Sequence, residues 1–356
     1  MSVHPVDKPL GLTSHDVVAR ARRNLGTRRV GHAGTLDPLA TGVLVLLADE
    51  STKLSPYLTA GDKRYLAWVA LGAGTPTLDA EGPLTDTAEP QALRTLTGEG
   101  IAESAAAFLG VTSQKPPAFS AVKQQGQRSY AAARRGEIEE PPARPVKYHA
   151  VELLAFGPSR EDLPQRFGPT PAGWRANPEG RTFELPPTLA ELPTALFALS
   201  VGAGTYVRSF ARDLGSALGV PAHLAGLVRT GAGGIDLSDC AALEELGNTP
   251  GIDPLTALSQ PKLLVDEATA LALRQGKRIQ LPVSELTVAH EADGALVALV
   301  EPLAPAEHGA PAEPAAADPP AAGNAAGEAG RHQAVAADHR GTPTVQPVRV
   351  VRAWQR

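Results

Sequence analysis

The stretch from Gly31 to Leu46, GHAGTLDPLATGVLVL, constrains this chain most, because it fixes one carboxylate in a turn. Glycines at positions 31 and 34 allow backbone angles that are closed to other residues. Pro38 removes a backbone donor and favours extended geometry at Asp37. The apolar run from Val43 to Leu47 predicts either a core strand or one turn of a buried helix. Asp37 is therefore a candidate nucleophile at the edge of a buried element, or else a turn residue that caps its own backbone.

The composition is that of a globular protein with room for two domains. The chain has 356 residues, of which 43% are hydrophobic and 20% charged. Its one cysteine, Cys240, excludes an internal disulfide and a zinc site built from several thiolates. The sequence shows no apolar signal core and no apolar run of membrane-spanning length. We therefore expect a cytoplasmic protein that does not attach to membranes.

The net charge of −5 is unevenly distributed along the chain. Residues 301–338 carry six acids and one base, so the remainder is about neutral. Local basic clusters bind phosphates whatever the global charge, although a solvated helix face is the alternative interpretation. Two such clusters occur, one of Arg20, Arg22, Arg23, Arg28 and Arg29, and one of Lys115, Lys123, Arg128, Arg134, Arg135, Arg144 and Lys147.

Hydrophobic periodicity, together with capping residues and glycines, predicts the helices and strands of the first 258 residues. Thr13–Asp16 has the pattern of a capping box, and the helix that follows should stop at Gly26. Further along we expect helices over 89–110 and Tyr206–Leu218, strands over Tyr65–Leu71 and Leu196–Val201, an excursion from the core over 113–145 and a long surface loop over 157–191.

The sequence changes character after about residue 258. A helix is expected over Asp266–Arg278, and strands over Leu296–Val300 and Val345–Val351. Between the two strands, residues 303–342 are rich in Ala, Pro, Gly and acids and lack apolar periodicity. This insertion is expected to be disordered.

Five blocks occur in order along the chain: KPLGLTS at 8–14, GHAGTLDPLATG at 31–42, KRY at 63–65, PPAFSAVK at 116–123 and GTYVR at 204–208. Together they resemble the TruB family of tRNA pseudouridine synthases. A single glycine-rich match would say little, but five matches in the expected order cover most of residues 1–230. The carboxy-terminal strands are similar to a PUA domain, from which the insertion is a departure.

The resemblance implies an α+β fold with a mixed, largely antiparallel sheet. Residues 1–258 would form the catalytic domain, with an RNA-gripping insertion at about 113–145. Residues 259–356 would form a small PUA-like β-barrel that binds RNA and is interrupted at 303–342. The implied activity is isomerisation of the T-loop uridine of tRNA, position 55, to pseudouridine, with the T-arm as the RNA partner. Separately, we expect a monomer, because no large exposed apolar helix face and no heptad pattern in the sequence suggest an obligate protein partner.

The resemblance also implies the catalytic residues. Asp37 is the nucleophile or base, and a route through the base and a route through the sugar both remain open. A carboxylate in a dry pocket tends to take up a proton, which a nearby cation opposes. Arg208 matches the arginine that pairs with the aspartate. Tyr65 matches the tyrosine that stacks on the flipped uracil.

Further residues match supporting positions of the family. His32 contacts the substrate, or alternatively caps the glycine turn, while Lys8 and Pro9 buttress the pocket from behind. Tyr206 and Leu227 line the pocket. The residues expected on the RNA backbone are Lys123, Arg128 and Arg134.

No cofactor and no metal are expected. Conversion of uridine to pseudouridine leaves the redox state unchanged, and the nine histidines show no metal-ligand spacing. Two alternatives remain open at this point. One is an RNA-folding factor whose catalysis is secondary or lost. The other is a synthase that modifies another RNA with a guide and accessory proteins.

Overall fold

A computed structural model of the protein describes residues 2–119, 141–303 and 345–354, and the backbone of 123–124 and 127–128. The chain divides into two compact units, Met1–Ser259 and Gln260–Arg356. In chain order the strands are β1 (Ser2–Lys8), β2 (Val30–Ala33), β3 (Ala40–Ala48), β4 (Lys63–Leu71), β5 (Ala73–Gly74), β6 (Asp86–Thr87), β7 (Ser113–Gln114), β8 (Lys123–Gln124), β9 (Gln127–Arg128), β10 (Arg144–Pro145), β11 (Tyr148–Gly157), β12 (Arg166–Thr170), β13 (Gly173–Ala176), β14 (Arg181–Thr182), β15 (Thr194–Val201), β16 (Ala222–Ala232), β17 (Ile235–Asp236), β18 (Ala241–Ala242), β19 (Lys262–Leu264), β20 (Ile279–Leu281), β21 (Thr287–His290), β22 (Leu296–Pro302) and β23 (Gln346–Ala353).

The described helices are short, and several are single turns. No helix in this part of the chain combines the length and apolarity needed to cross a membrane. The α-helices are α1 (Ser14–Asn24), α2 (Ser55–Thr59), α3 (Pro90–Arg94), α4 (Gly98–Ala106), α5 (Val207–Ala217), α6 (Pro254–Ala257) and α7 (Glu267–Arg274), and the 3-10 helices are Asp49–Leu54, Ala107–Gly110, Leu237–Asp239 and Leu243–Glu245.

A nine-stranded sheet forms the centre of the first unit. Its order is β11-β15-β4-β16-β3-β1-β18, with β17 on β16 and β2 on β3. Among the described strands of this sheet, β16 runs parallel to β3 and β1 parallel to β18, and the other pairs are antiparallel. The predicted mixed, largely antiparallel sheet is confirmed.

Strand β3 accounts for the apolar run after the aspartate turn. All nine of its residues are buried, so the side chains on both faces of the strand are covered. A strand with both faces covered is apolar throughout, so its sequence lacks the alternation of a half-exposed strand. The run is therefore a strand, and the alternative of a buried helix turn is wrong.

Helix α1 begins as its sequence predicts. The Thr13 side chain accepts a hydrogen bond from the backbone of Asp16, and the Asp16 carboxylate accepts one from the backbone of Thr13. These reciprocal bonds satisfy two donors that the first turn leaves free. The capping-box prediction is confirmed.

One face of the sheet packs on helices around an aromatic cluster. Phe210 of α5 lies with its ring centroid 4.8 Å from Phe108 and 5.3 Å from Phe197 of β15. Tyr148 of β11 contacts Phe108 edge-on at 5.5 Å. Edge-to-face packing of this kind adds to area burial. The cluster fixes α5 against the sheet.

The prediction of one helical stretch over 89–110 is wrong in part. Helix α3 ends at Arg94, and Thr97 caps a separate helix by accepting a hydrogen bond from the backbone of Gly100. Thr97 satisfies a backbone donor of the new helix through its side chain, a role that threonine fills well at helix starts and poorly inside helices.

The prediction of a surface loop over 157–191 is also wrong in part. Strands β12, β13 and β14 form a small sheet in this segment. Phe167 and Trp174 are buried, Phe167 packs edge-on against Trp68 at 5.7 Å, and the Trp174 indole donates to Asp236 at 3.1 Å. Short strands among Pro and Gly give almost no periodicity, so their burial depends on the tertiary fold.

The second unit contains a curled sheet of order β19-β21-β22-β23-β20. The strands expected over Leu296–Val300 and Val345–Val351 are confirmed as β22 and β23. Helix α7 ends at Arg274, before the expected Arg278, because Gly276 adopts φ +72° and closes the helix. Apart from residue 303, the insertion expected to be disordered lies outside the described residues.

Candidate active site

Asp37 lies in the turn between β2 and β3, and the backbone of the turn is anchored on both sides. The Ser14 hydroxyl accepts a hydrogen bond from the Leu36 amide at 2.9 Å and donates to the Leu36 carbonyl at 3.0 Å. The Ala40 amide donates to the Asp37 carbonyl at 3.1 Å. Gly34 has φ +90°, as expected, but Gly31 lies in β2 without a positive φ.

Arg229 of β16 lies beneath the same turn. This residue is 1% exposed, and its guanidinium donates to the carbonyls of Val43 at 2.6 Å, Gly34 at 3.0 Å and Thr35 at 3.3 Å. The side chain therefore ties both sides of the Asp37 turn to the central strand. The sequence analysis did not single out Arg229, since a lone arginine in an apolar strand gives no local signal.

Lys8 supports the other end of the turn. Its ammonium donates to the carbonyls of Leu12 at 2.6 Å, Pro9 at 2.9 Å and Pro38 at 3.4 Å. Burial lowers the pKa of Lys8 to about 8, against the attraction of Glu81 and Asp37. Lys8 is thus joined to the Asp37 turn through the carbonyl of Pro38, and Pro9 accepts a hydrogen bond from Lys8.

Arg208, in the first turn of α5, is the charge partner of Asp37. Its Nε lies 2.9 Å from Asp37 Oδ2, although the N–H is not aligned for a hydrogen bond. Its two terminal nitrogens donate to the carbonyls of Thr77 and Phe119, each at 3.0 Å. The Arg208 side chain is 6% exposed and that of Asp37 36%, so the pair is shielded on the arginine side and open on the aspartate side.

A second carboxylate, Asp79, shares this arginine. Asp79 Oδ2 lies 3.5 Å from Arg208 Nη1, and Oδ1 accepts from the Thr77 hydroxyl at 2.6 Å and the Glu81 amide at 3.0 Å. Burial raises the pKa of Asp79, and Arg208 and the two hydrogen bonds oppose the rise. Asp79 was missed by the sequence analysis, because nothing around it in the chain distinguishes it from a turn residue.

These groups border one cleft, which brings together five of the predicted site residues. Residues from four separate parts of the chain contribute, since the strands that carry them lie side by side in the sheet. The predicted residues on the cleft wall are Asp37, Tyr65, Tyr206, Arg208 and Leu227, and the others include Thr59, Lys63, Thr205 and Arg229.

Comparison with known proteins assigns the chain to a family. A protein of Deinococcus deserti named tRNA pseudouridine synthase B is 54% identical over 301 residues, which cover 85% of this chain and 96% of that protein. A protein of the same name from Thermus thermophilus is 46% identical over 302 residues, which cover 85% of this chain and 95% of that protein. Residues 22–165 match the family of TruB pseudouridylate synthases in its N-terminal domain. The chain belongs to the TruB family.

The fold has solved counterparts beyond the close TruB relatives. A chain from the crystal structure of a Cbf5-Nop10-Gar1 complex superposes with a TM-score of 0.55 at 24% identity, over 85% of this chain and 78% of that one. A chain from the crystal structure of the archaeal box H/ACA sRNP Nop10-Cbf5 complex superposes with a TM-score of 0.54 at 22% identity, over 85% of this chain and 79% of that one. The α+β fold of the TruB chain is thus confirmed.

His32 does not border the cleft of this TruB chain. Its ring stacks edge-on against His15 with centroids 5.8 Å apart, and among the described residues its Nδ1 is buried without a hydrogen-bond partner. Burial, His15 and Arg229 all lower the pKa of His32, so the neutral imidazole is favoured. The structure thus places His32 outside the cleft wall that contains Asp37, Tyr65, Tyr206, Arg208 and Leu227.

Lys63 was not predicted, yet it lies in the cleft wall two residues before Tyr65. Its ammonium donates to the carbonyls of Thr59 and Gly61. Burial and, to a smaller extent, Arg229 lower the pKa of Lys63 to about 8. Lys63 thus joins Lys8, Arg208 and Arg229 as a buried cation close to the Asp37 turn.

The predicted RNA-backbone contacts lie outside what the structure describes. Only the backbone of Lys123 and Arg128 is described, in a two-stranded hairpin of β8 and β9, and Arg134 lies outside the described residues. Within the described residues, no group of three or more His, Cys, Asp or Glu is arranged to hold a metal. Among the described residues, the cleft offers the partly exposed carboxylate of Asp37, buried cations and the rings of Tyr65 and Tyr206.

Proposed function

We propose that this chain isomerises the T-loop uridine of tRNA, conventionally position 55, to pseudouridine. The ion pair of Asp37 with Arg208, in a cleft that Tyr65 also borders, is the observation that carries the proposal. Its support is that the chain is 54% identical to a protein named tRNA pseudouridine synthase B. The cleft has the elements that this reaction needs, namely an ionisable nucleophile, a fixed counter-charge and an aromatic ring.

The reaction breaks the bond from N1 of uracil to C1′ of the sugar and forms one from C5 to C1′. C5 loses a proton and N1 gains one, so composition and redox state are unchanged. Asp37 is the nucleophile or base, and its open carboxylate edge faces the cleft. Arg208 compensates the charge of Asp37 and, because it is anchored to two carbonyls, does so in a fixed position.

The target base must leave the RNA stack to reach Asp37. Flipping costs a few kcal/mol, which contacts in the pocket offset. Tyr65 provides the stacking face, and Tyr206 and Leu227 complete the apolar wall. Single-stranded loops are the RNA regions in which bases are displayed this way, which favours the T-loop as the target.

The remaining assignments follow from the same proposal. Residues 1–258 act as the catalytic domain of a cytoplasmic monomer, and residues 259–356 as a PUA-like RNA-binding domain. Lys8 and Pro9 support the pocket, and His32 contacts the RNA outside the cleft wall. The RNA-backbone contacts are assigned to Lys123, Arg128 and Arg134.

The test uses the purified protein and an unmodified tRNA transcript, with no other protein or guide RNA. Pseudouridine is mapped by reverse transcription after carbodiimide treatment. We expect one stop, at the T-loop uridine, that disappears with Asp37→Asn. The matched control is Asp86→Asn, an exposed aspartate in β6, which should leave the stop unchanged.

Each alternative predicts a different outcome of this test. An RNA-folding factor binds the transcript and gives no stop with the wild-type chain. A guide-dependent synthase gives a stop only when guide and accessory proteins are added. A stop that persists at full rate in Asp37→Asn would contradict the assigned role of Asp37.

A further inference from the structure

Gln114 is a buried amide that holds the residue before α5 by both of its backbone groups. Its Oε1 accepts from the Tyr206 amide at 2.9 Å, and its Nε2 donates to the Tyr206 carbonyl at 3.2 Å. Nε2 also donates to the Tyr148 hydroxyl at 2.8 Å. Gln114 is 4% exposed, so these bonds form away from bulk water.

A carboxamide is the chemical group that this position requires. Its oxygen accepts and its nitrogen donates in one plane, so a single side chain satisfies an amide and a carbonyl of the same residue. A glutamate keeps the acceptor but replaces the donor with a second oxygen, which faces the Tyr206 carbonyl. A methionine of similar length offers neither group.

Tyr206 is where the helix carrying the active-site arginine begins. It is the N-cap of α5 and makes no capping hydrogen bond with its own side chain. Its carbonyl already accepts the first helical bond, from the amide of Phe210 at 3.1 Å. Gln114 therefore orders the start of α5 from outside the helix, two residues before Arg208.

The segment that follows Gln114 runs along the same helix start. Ser209 Oγ and Arg212 Nη2 donate to the carbonyl of Lys115 at 2.8 and 3.1 Å. Arg208 Nη2 donates to the carbonyl of Phe119. Gln114 lies in β7, which pairs with β10 across residues 115–143. The base of the predicted RNA-gripping insertion and the arginine helix are thus hydrogen-bonded to each other.

We propose that Gln114 is a positioning residue for the isomerisation. It fixes Tyr206 and the start of α5, and thereby sets Arg208 against Asp37. It acts on the rate of the bond rearrangement and leaves the affinity for RNA unchanged. This inference rests on the proposed function and adds a residue to its machinery.

The test compares Q114E with the control variant Y148F. Y148F removes the hydroxyl that Gln114 also contacts and leaves both bonds to Tyr206 in place. For each variant we would measure the single-turnover rate at saturating enzyme, the Kd for unmodified tRNA and the melting temperature. Q114M is measured in parallel, because it removes both the donor and the acceptor without placing a buried charge.

We expect Q114E to lower the single-turnover rate about tenfold, the effect of losing one hydrogen bond of ordinary strength. Q114M, which loses both bonds to Tyr206, should lower the rate at least as much. Their Kd values should stay within threefold of wild type, and Y148F should match wild type in both quantities. Unaltered rates in both variants would overturn the inference. So would a rate loss that tracks weaker RNA binding or a lower melting temperature. An inactive wild-type chain would instead refute the proposed function.

Discussion

Arg229, which is buried beneath the Asp37 turn, gives the sharpest test of how this site is held together. Arg229→Met keeps most of the side-chain length and removes the charge and all donors. Arg229 makes three hydrogen bonds to carbonyls, at 2.6, 3.0 and 3.3 Å. The substitution leaves those carbonyls, on both sides of the Asp37 turn, without these donors.

The expected loss of stability follows from those bonds. A hydrogen bond with one charged partner is worth about 1.5–3 kcal/mol, so the two shorter bonds give about 3–6 kcal/mol. Part of this loss of stability is recovered, because the substitution removes a buried charge and lets water enter from the cleft. We therefore expect a loss of about 3 kcal/mol. For a unit of this size that lowers the melting temperature by roughly 6–12 °C.

The turnover rate of Arg229→Met should fall as well, because the turn no longer holds the Asp37 carboxylate in its position. A displacement of about 1 Å at a reacting group costs about 10²-fold in rate. Single-turnover assays well below the melting temperature of the variant measure this loss separately from unfolding. The control is Arg64→Met in the neighbouring strand, a partly exposed arginine with one 3.4 Å ion pair to Asp236, where at most about 1 kcal/mol is expected.

Two results would refute this reasoning. A melting temperature of Arg229→Met within 2 °C of wild type would mean that water or a rearranged backbone replaces the three bonds. A normal rate in a destabilised variant would mean that the Asp37 turn keeps its geometry without Arg229.

Three further predictions concern other parts of the first unit. In the folded chain burial lowers the pKa of Lys63 to about 8, while the unfolded chain keeps its proton to about 10.5. The unfolded state therefore binds more protons between these values, and the wild type should gain stability relative to Lys63→Met as pH rises from 8 to 10.5, measured by thermal melts. Gly42→Ala should cost more than about 2 kcal/mol, because φ is +93° and the new Cβ would lie 2.3 Å from the Arg229 carbonyl oxygen, whereas Gly26→Ala, at φ +65° in open space, should cost about 1 kcal/mol. Phe167→Ala should lower stability by about 3–5 kcal/mol in denaturant melts while the single-turnover rate stays within threefold, and a large rate loss would assign the small sheet a part in catalysis.

Much of the fold was predictable where local patterns and tertiary packing agree. The capping box at Thr13 and the apolar run after Asp37 carry their own signals, so α1 and β3 lie where expected. The small sheet around Phe167 could not be predicted. Its strands are two to five residues long, and Phe167 and Trp174 become buried only through tertiary contacts with residues such as Trp68, Phe183 and Asp236.

The residues of the candidate site also fall into two groups, those that the sequence predicts and those that it does not. Motif residues such as Asp37 and Arg208 stand out in the sequence, whereas their supports do not. Asp79, Gln114 and Arg229 act through backbone groups or through Arg208, at long sequence separation. Each is an ordinary polar residue in its local context, so its importance depends on which strands become neighbours.

The order of strands in the central sheet also has a consequence for how the chain is made. Strands β3 and β4 both border β16, which lies between them, yet β16 follows the end of β4 by 150 residues. During synthesis at 5–20 residues per second, those two strands wait roughly 8–30 s with an unpaired edge. Exposed edges of apolar strands recruit other strands. A nascent chain halted before Ala222 should therefore aggregate, or need a chaperone, and have no activity of its own.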